Sequence, residues 1–281
     1  MAKYCIVTEG VGELRKEPTH ACEQVSQVVL GAVLRVMSTK DGARWLRVEA
    51  EDGYRGWIRS WSVHRVSAAE LAAYRSGPMV EVDSMVARVR ERASGHSSPL
   101  REAPLGSRLR RVGRSGNWIR IALPEGDRGF LHVRDLLVDR KSFRSRVRPC
   151  HMPALLRTGM RFLGVPYQWG GVTPKGLDCS GLVQSVFRLH GVLLPRDSGD
   201  QFRWVEREAY IVRDLADTKV GHLLFFGETD KRITHVGIGM RDGRILHAQG
   251  RVRVASLRPE DPAFDRDLYR LFRGAGPVLL G

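Results

Sequence analysis

Cysteine is scarce. Cys5, Cys22, Cys150 and Cys179 are the only four in 281 residues, and no two stand at the CxxC spacing of a zinc site. So few thiols in so long a chain also argue against a disulfide framework, and neither a metal nor another cofactor is expected. Long apolar runs are missing too. The longest, such as Val28-Val29-Leu30 and Leu223-Leu224-Phe225-Phe226, fall far short of the roughly 18 residues of a membrane-crossing helix. Behind Met1-Ala2-Lys3-Tyr4-Cys5 there is no apolar core of a secretory signal. The expectation is a cytoplasmic protein with reduced thiols and no membrane span. Lysine is rare, at 7 of the 46 basic residues, so the positive charge is carried mainly by arginine.

What is present is ordinary in hydrophobic content, 42%, and in charged residues, 27%, which excludes a collagen, a disordered tail and a multi-span membrane protein. The balance of charge is unusual: 46 Lys+Arg against 31 Asp+Glu give +15. An acidic partner follows in principle, whether nucleic acid, an anionic membrane surface or an acidic polymer. Length suggests about two domains, or three if some are small β-modules.

A pattern occurs twice. Gly31-Ala32-Val33-Leu34-Arg35-Val36-Met37, then Trp45-Leu46-Arg47-Val48, then Gly53-Tyr54-Arg55-Gly56-Trp57-Ile58 is echoed by a second set. That set is Gly106-Ser107-Arg108-Leu109-Arg110-Arg111-Val112, then Trp118-Ile119-Arg120-Ile121, then Gly126-Asp127-Arg128-Gly129-Phe130-Leu131. The step from Trp45 to Gly56 equals that from Trp118 to Gly129. Short alternating strands broken by glycine turns predict a small β-barrel used twice. Between the copies, Ser67 caps a predicted helix over Ala68–Tyr74 that ends at Ser76-Gly77-Pro78. The polar run Arg140–Pro149 reads as a solvated linker, with a phosphate-binding strip as the alternative.

Beyond residue 150 the pattern changes. Ala154–Leu163 predicts a helix stopped at Gly164, and Leu182, Val183, Val186 and Leu189 define a second one ending at Gly191. His235–Met240 and Ile245–Gln249 alternate like two strands around the turn Arg241-Asp242-Gly243-Arg244. Helices first and antiparallel strands later are an α+β order. Cys179 falls at the predicted start of the second helix, where unpaired N–H groups and the helix dipole favour a thiolate and predict a lowered pKa. A hairpin can bring His235 and His247 side by side, giving a nucleophile, a base and a group that orients the base. On spacing alone, a buried inert cysteine and two surface histidines fit equally well.

The flanking residues separate the two. Gly164-Val165-Pro166-Tyr167-Gln168-Trp169-Gly170-Gly171, Gly176-Leu177-Asp178-Cys179-Ser180-Gly181, Leu194-Pro195-Arg196-Asp197-Ser198, Phe225-Phe226 and Thr234-His235-Val236-Gly237-Ile238 resemble, in order, the motifs of the NlpC family of cell-wall cysteine peptidases. The resemblance implies an α+β papain-like catalytic domain over residues 150–281, preceded by two small all-β bacterial SH3-like barrels over 1–66 and 79–140. It implies Cys179 as nucleophile, His235 as base and acid, His247 as the residue orienting it, and Tyr167 beside the oxyanion. The family's usual Gly-Asp-Leu is Gly221-His222-Leu223 here, which leaves the hydrogen bonding of that loop open.

Ala21-Cys22-Glu23-Gln24 together with Gly53-Tyr54-Arg55-Gly56-Trp57 resembles the first SH3-like domain of the branch that cleaves γ-D-glutamyl-diamino acid bonds. By that resemblance Glu23, Tyr54 and Asp197 read the free amine of an N-terminal L-Ala, and Trp169, Asp178, Ser180 and Ser198 match other substrate-binding positions. The implied partner is a peptidoglycan-derived peptide, in the setting of muropeptide recycling. Two other functions remain in view: a secreted hydrolase of intact wall anchored by its SH3-like domains, and a basic nucleic-acid-binding protein. No aromatic ladder or binding motif supports the last, so nucleic acid is not the expected partner. Basic surface then serves at most to steer an anionic substrate, in a salt-dependent way.

Overall fold

The computed structural model describes residues 3–138, 148 and 150–279. The proposed linker Arg140–Pro149 lies outside the described residues except for Arg148. The chain divides into two compact units, Met1–Val147 and Arg148–Gly281. No described helix is long and apolar enough to cross a membrane.

The first unit is almost entirely β. Its strands β1 (Tyr4–Val7), β2 (Val11–Arg15), β3 (Gln24–Val29), β4 (Val33–Lys40), β5 (Trp45–Glu49), β6 (Arg55–Arg59) and β7 (Val63–Val66) form one antiparallel sheet in the order β3-β2-β6-β5-β4-β1-β7. Helix α1 (Ala68–Arg75) follows, closed by a capping box in which Ser67 and Glu70 satisfy each other's backbone N–H. A second antiparallel sheet contains β8 (Met79–Glu81), β9 (Val86–Arg90), β10 (Pro99–Pro104), β11 (Arg108–Ser115), β12 (Trp118–Ala122) and β13 (Arg128–His132), ordered β10-β9-β13-β12-β11-β8.

The sequence repeat is a structural repeat. Trp45 pairs with Arg59 across β5–β6, and Trp118 pairs with His132 across β12–β13. Strict alternation buries one face of each pair: Leu46, Val48 and Ile58 enter one core, and Ile119, Ile121 and Leu131 the other. The two β modules are not isolated from each other. Leu30, from the first, completes the core of the second. The backbone at Gly31, with φ +83°, approaches the Arg108 carbonyl so closely that no Cβ fits, and Arg101 Nη1 donates to the Thr8 carbonyl at 2.6 Å. This packing makes one compact unit of the two predicted modules.

The second unit is α+β. It begins with α2 (Met152–Met160) and the short strands β14 (Val172–Thr173) and β15 (Gly176–Leu177). Helices α3 (Cys179–Leu189) and α4 (Ser198–Glu208) come next, followed by β16 (Leu223–Thr229), β17 (Arg232–Gly239), β18 (Arg244–Gln249), β19 (Arg251–Ser256), α5 (Arg266–Leu271) and β20 (Phe272–Gly276). The last five strands make an antiparallel sheet ordered β19-β18-β17-β16-β20. Every residue of α3 from Cys179 to Phe187 is buried, because the helix lies against β17, β18, α2 and β14. Fully burying side chains of the size of Leu182, Val186 and Phe187 stabilises by about 1.5–3 kcal/mol each, so α3 is fixed as a rigid platform. Gly191, at φ +85°, ends it. Asp242 and Gly243, both at positive φ, make the turn between β17 and β18.

Candidate active site

Cys179 is the first residue of α3, and Asp178 caps that helix by accepting the Gly181 N–H at 2.7 Å. A Cβ on Gly181 would collide with the Gly171 carbonyl, so glycine here lets the loop Tyr167–Gly171 lie directly on the first turn. The Cys179 thiol sits 4.0 Å from the carbonyl of Thr234, on the strand that carries His235. Across the β17–β18 hairpin, Nε2 of His235 lies 2.9 Å from Nδ1 of His247. The rings meet nearly at right angles, with centroids 5.1 Å apart. The thiol thus lies against the strand that carries His235, and His235 against His247 on the next strand.

The sequence expectation of an acidified thiol is overturned. Burial pushes the Cys179 thiol up to about 11, and the Asp178 carboxylate adds to the rise. Backbone N–H groups of Val236 and Ser180 and the Arg196 guanidinium pull the other way without winning. Desolvation disfavours the anion by more than one helix terminus restores. Burial likewise lowers His235 to about 4, against the Asp265 carboxylate, and His247 to about 3, with His235 itself adding to the fall. At neutral pH the resting pair is therefore thiol and imidazole, and His235 is free to accept a proton. For its Nδ1 to do so, its Nε2 must carry hydrogen and donate to His247 Nδ1. The remaining nitrogen of His247, Nε2, is buried with no hydrogen-bond partner among the described residues.

Behind Cys179 is a polar network that sequence reading did not identify. The Arg196 side chain, 1% exposed, forms a fork on Asp178, with Nη2–Oδ2 at 2.6 Å and Nη1–Oδ1 at 3.0 Å. The same Nη1 donates to Ser180 Oγ at 2.9 Å, and Gly170 N–H donates to Asp178 Oδ2 at 2.9 Å. Gln201 ties in the backbone by donating to the carbonyls of Ser180 and Pro195. Asp178 and Ser180 were read as substrate-binding positions. Their side chains are engaged in holding the helix start and the 167–171 loop. The signal was in the sequence: Arg196 stands inside a quoted motif, but a lone arginine gives no hint of its partner.

Tyr167 is half-buried, its N–H donating to the Gly250 carbonyl at 2.9 Å. Burial, with Cys179 and Asp178 nearby, raises its phenol to about 12, so it is a hydrogen-bond donor at any working pH. Trp169 is 61% exposed on the same loop. Asp197 is exposed at the start of α4, and Ser198 is buried with its hydroxyl 3.5 Å from the Ile233 carbonyl. In the first unit, Glu23 is exposed and pairs with Lys16 at 3.7 Å, and Tyr54 is half-buried in the β5–β6 turn with its N–H donating to Asp52 Oδ1 at 3.0 Å. The loop at His222 is well satisfied. Its carbonyl accepts from Gly239 N–H at 2.8 Å and its Nδ1 from Lys219 N–H at 3.4 Å.

A cysteine at a helix start with a histidine pair on the facing sheet supplies a nucleophile and an acid–base group for acyl transfer. Comparison with known proteins shows what the two units resemble. Residues 164–269 match the NlpC/P60 family, and residues 14–62 match the bacterial dipeptidyl-peptidase SH3 domain. The similarity to the NlpC/P60 family is carried by the second unit. The chain is 28% identical over 254 residues to gamma-D-glutamyl-L-lysine dipeptidyl-peptidase of Bacillus cereus, covering 86% of this chain and 72% of that one. A protein of the same name from Bacillus subtilis is 42% identical over 96 residues, covering 34% and 31% of the two chains. Dipeptidyl-peptidase 6 of Lysinibacillus sphaericus is 24% identical, with 97% and 98% covered. Among solved structures, an NlpC/P60 family protein from Bacillus cereus superposes with a TM-score of 0.78 at 23% identity, covering 99% of this chain and 100% of that one.

Proposed function

We propose that this chain hydrolyses the γ-D-glutamyl-diamino acid bond of peptidoglycan stem peptides bearing a free N-terminal L-Ala, in muropeptide recycling. In the same reading its catalytic unit is papain-like and the two β modules ahead of it are SH3-like barrels. The observation that carries the chemistry is the 2.9 Å bond between His235 and His247 beside the helix that begins at Cys179. The substrate class is supported by the relatives' names and by the match of residues 14–62 to a dipeptidyl-peptidase domain.

In the proposed reaction His235 takes the Cys179 proton as sulfur attacks the γ-carbonyl of D-Glu. The C=O electron pair moves onto oxygen, where the Tyr167 hydroxyl donates to it. Collapse expels the amine of the diamino acid, which takes the proton from His235 and leaves a thioester on Cys179. Water attacks this thioester, giving one proton to His235, which returns it to sulfur as L-Ala-D-Glu leaves. His247 accepts from His235 throughout and stabilises the imidazolium formed in each half.

Glu23 and Tyr54 of the first unit, and Asp197, Trp169 and Ser198 of the second, are each proposed as substrate-binding residues. The test compares L-Ala-γ-D-Glu-diaminopimelate with its N-acetyl form. Turnover of the free peptide alone supports the reading; equal turnover of both removes amine recognition from it.

A further inference from the structure

The two β modules repeat each other down to single hydrogen bonds. In the first, the loop between β2 and β3 is closed by Lys16 N–H donating to the Glu23 carbonyl, and Arg15 Nη1 donates to the Cys22 carbonyl. In the second, the loop between β9 and β10 is closed by Glu91 N–H donating to the Ser98 carbonyl, and Arg90 Nη1 donates to the Ser97 carbonyl. Even the loop staples correspond: Cys22 Sγ accepts from Glu17 N–H, and Ser97 Oγ accepts from Arg92 N–H. Counted through these bonds, His20 of the first loop is matched by Gly95 of the second.

That position, together with the exchange of Arg59 for His132, changes the surface. In the first module His20 lies 5.1 Å from Trp45, the Arg59 guanidinium stacks over the same indole at 4.9 Å, and Trp45 is 4% exposed. In the second, the loop offers only Gly95, around which a Cβ would meet nothing within 4 Å. Arg59 is replaced by His132, edge-on to Trp118 at 5.0 Å. Where the first module is covered by its own loop, the second has a groove of about 580 Å³ lined by Arg88, Arg90, Trp118, His132, Arg134 and Asp135. Arg88 and Arg134 are exposed at its border.

We propose that this groove binds an acidic oligosaccharide. Guanidinium groups take carboxylate or phosphate oxygens as forked hydrogen bonds, and an indole beside them offers a flat apolar wall to a sugar ring. Asp135, whose Oδ1 lies 3.9 Å from Arg134 Nε, adds an acceptor suited to sugar hydroxyls. One tryptophan in place of a series also departs from the successive stacking platforms of single-stranded nucleic acid sites. All the residues that line the groove belong to the first unit.

The test is calorimetric titration of the full chain with a uronic-acid trimer, a phosphodiester-linked glycerol-sugar oligomer, neutral chitotriose and a single-stranded oligonucleotide. Binding of at least one acidic oligosaccharide, tighter than chitotriose and the oligonucleotide by about tenfold or more and weakened by salt, is expected. The uronate and phosphodiester arms tell which oxyanion is preferred. Gly95→Trp, which fills the groove as His20 covers Trp45, should weaken binding about tenfold or more and leave peptidase activity unchanged. Arg88→Glu, an exposed change that leaves the core intact, should do the same. No binding of either acidic sugar, equal binding by Gly95→Trp and Arg88→Glu, or preference for the oligonucleotide would overturn the proposal.

Discussion

His247 Nδ1 lies 2.9 Å from His235 Nε2 while its own second nitrogen is buried without a partner among the described residues. In the proposed triad the third member is an imidazole rather than a carboxylate, and its proposed work is to orient His235 and to spread the charge that ring gains. Replacement by Asn or Gln keeps an acceptor at that place, and replacement by Ala does not. His247→Asn should lower kcat by about tenfold and His247→Ala by about 10²–10³-fold, the range of a lost acid-base arrangement. KM should change little in either, as steady-state kinetics on a stem peptide will show.

The raised thiol gives a pH signature. A cysteine held near 11 by burial carries little thiolate at neutrality, and each unit of pH below that value cuts the anion about tenfold. Alkylation of Cys179 by iodoacetamide, followed by peptide mass spectrometry to separate it from Cys5, Cys22 and Cys150, should climb steadily from pH 7 to pH 10. A plateau below pH 7 would mean that a thiolate-imidazolium pair already exists at rest.

Stability should fall on the acid side. His235 and His247 are held near 4 and 3 by burial, whereas an unfolded histidine takes its proton near 6.5. Between those values the unfolded chain binds more protons, so stability drops as pH falls from about 6.5 towards 4. Thermal unfolding at pH 7 and pH 5 should show the loss. His247→Gln, which has no ring to protonate, should reduce the difference.

Arg196 and Asp178 form the buried ion pair beneath the nucleophile. Arg196→Met strands the Asp178 carboxylate and should cost about 3–5 kcal/mol, read as a fall in Tm. Its activity should fall with it, since Asp178 also holds the Gly170 and Gly181 N–H groups.

Much of this was legible in the sequence. Helix α3 was marked by Leu182, Val183, Val186 and Leu189 at helical spacing, and the His235–His247 hairpin by alternation around Asp242-Gly243. The repeat was visible in Trp45 and Trp118 and the glycines that follow them. The protonation state of Cys179 was not legible, because a helix start pulls one way and burial the other, and depth of burial is a property of the packed fold. Arg196 was hidden for a related reason: it is separated from Asp178 by a helix, and only packing shows that its charge is buried. Nor did the repeat disclose the exchange of His20 for Gly95, since Gly95 resembles any loop glycine until its counterpart His20 is seen against Trp45.

The central claim is that Cys179 cleaves one particular bond. Incubating L-Ala-γ-D-Glu-diaminopimelate with the enzyme and with Cys179→Ala, and weighing the products, tests it most directly. The native chain should give L-Ala-D-Glu and free diaminopimelate, and a folded Cys179→Ala should leave the peptide intact. Cleavage at the L-Ala–D-Glu bond, or turnover that survives loss of the thiol, would contradict it.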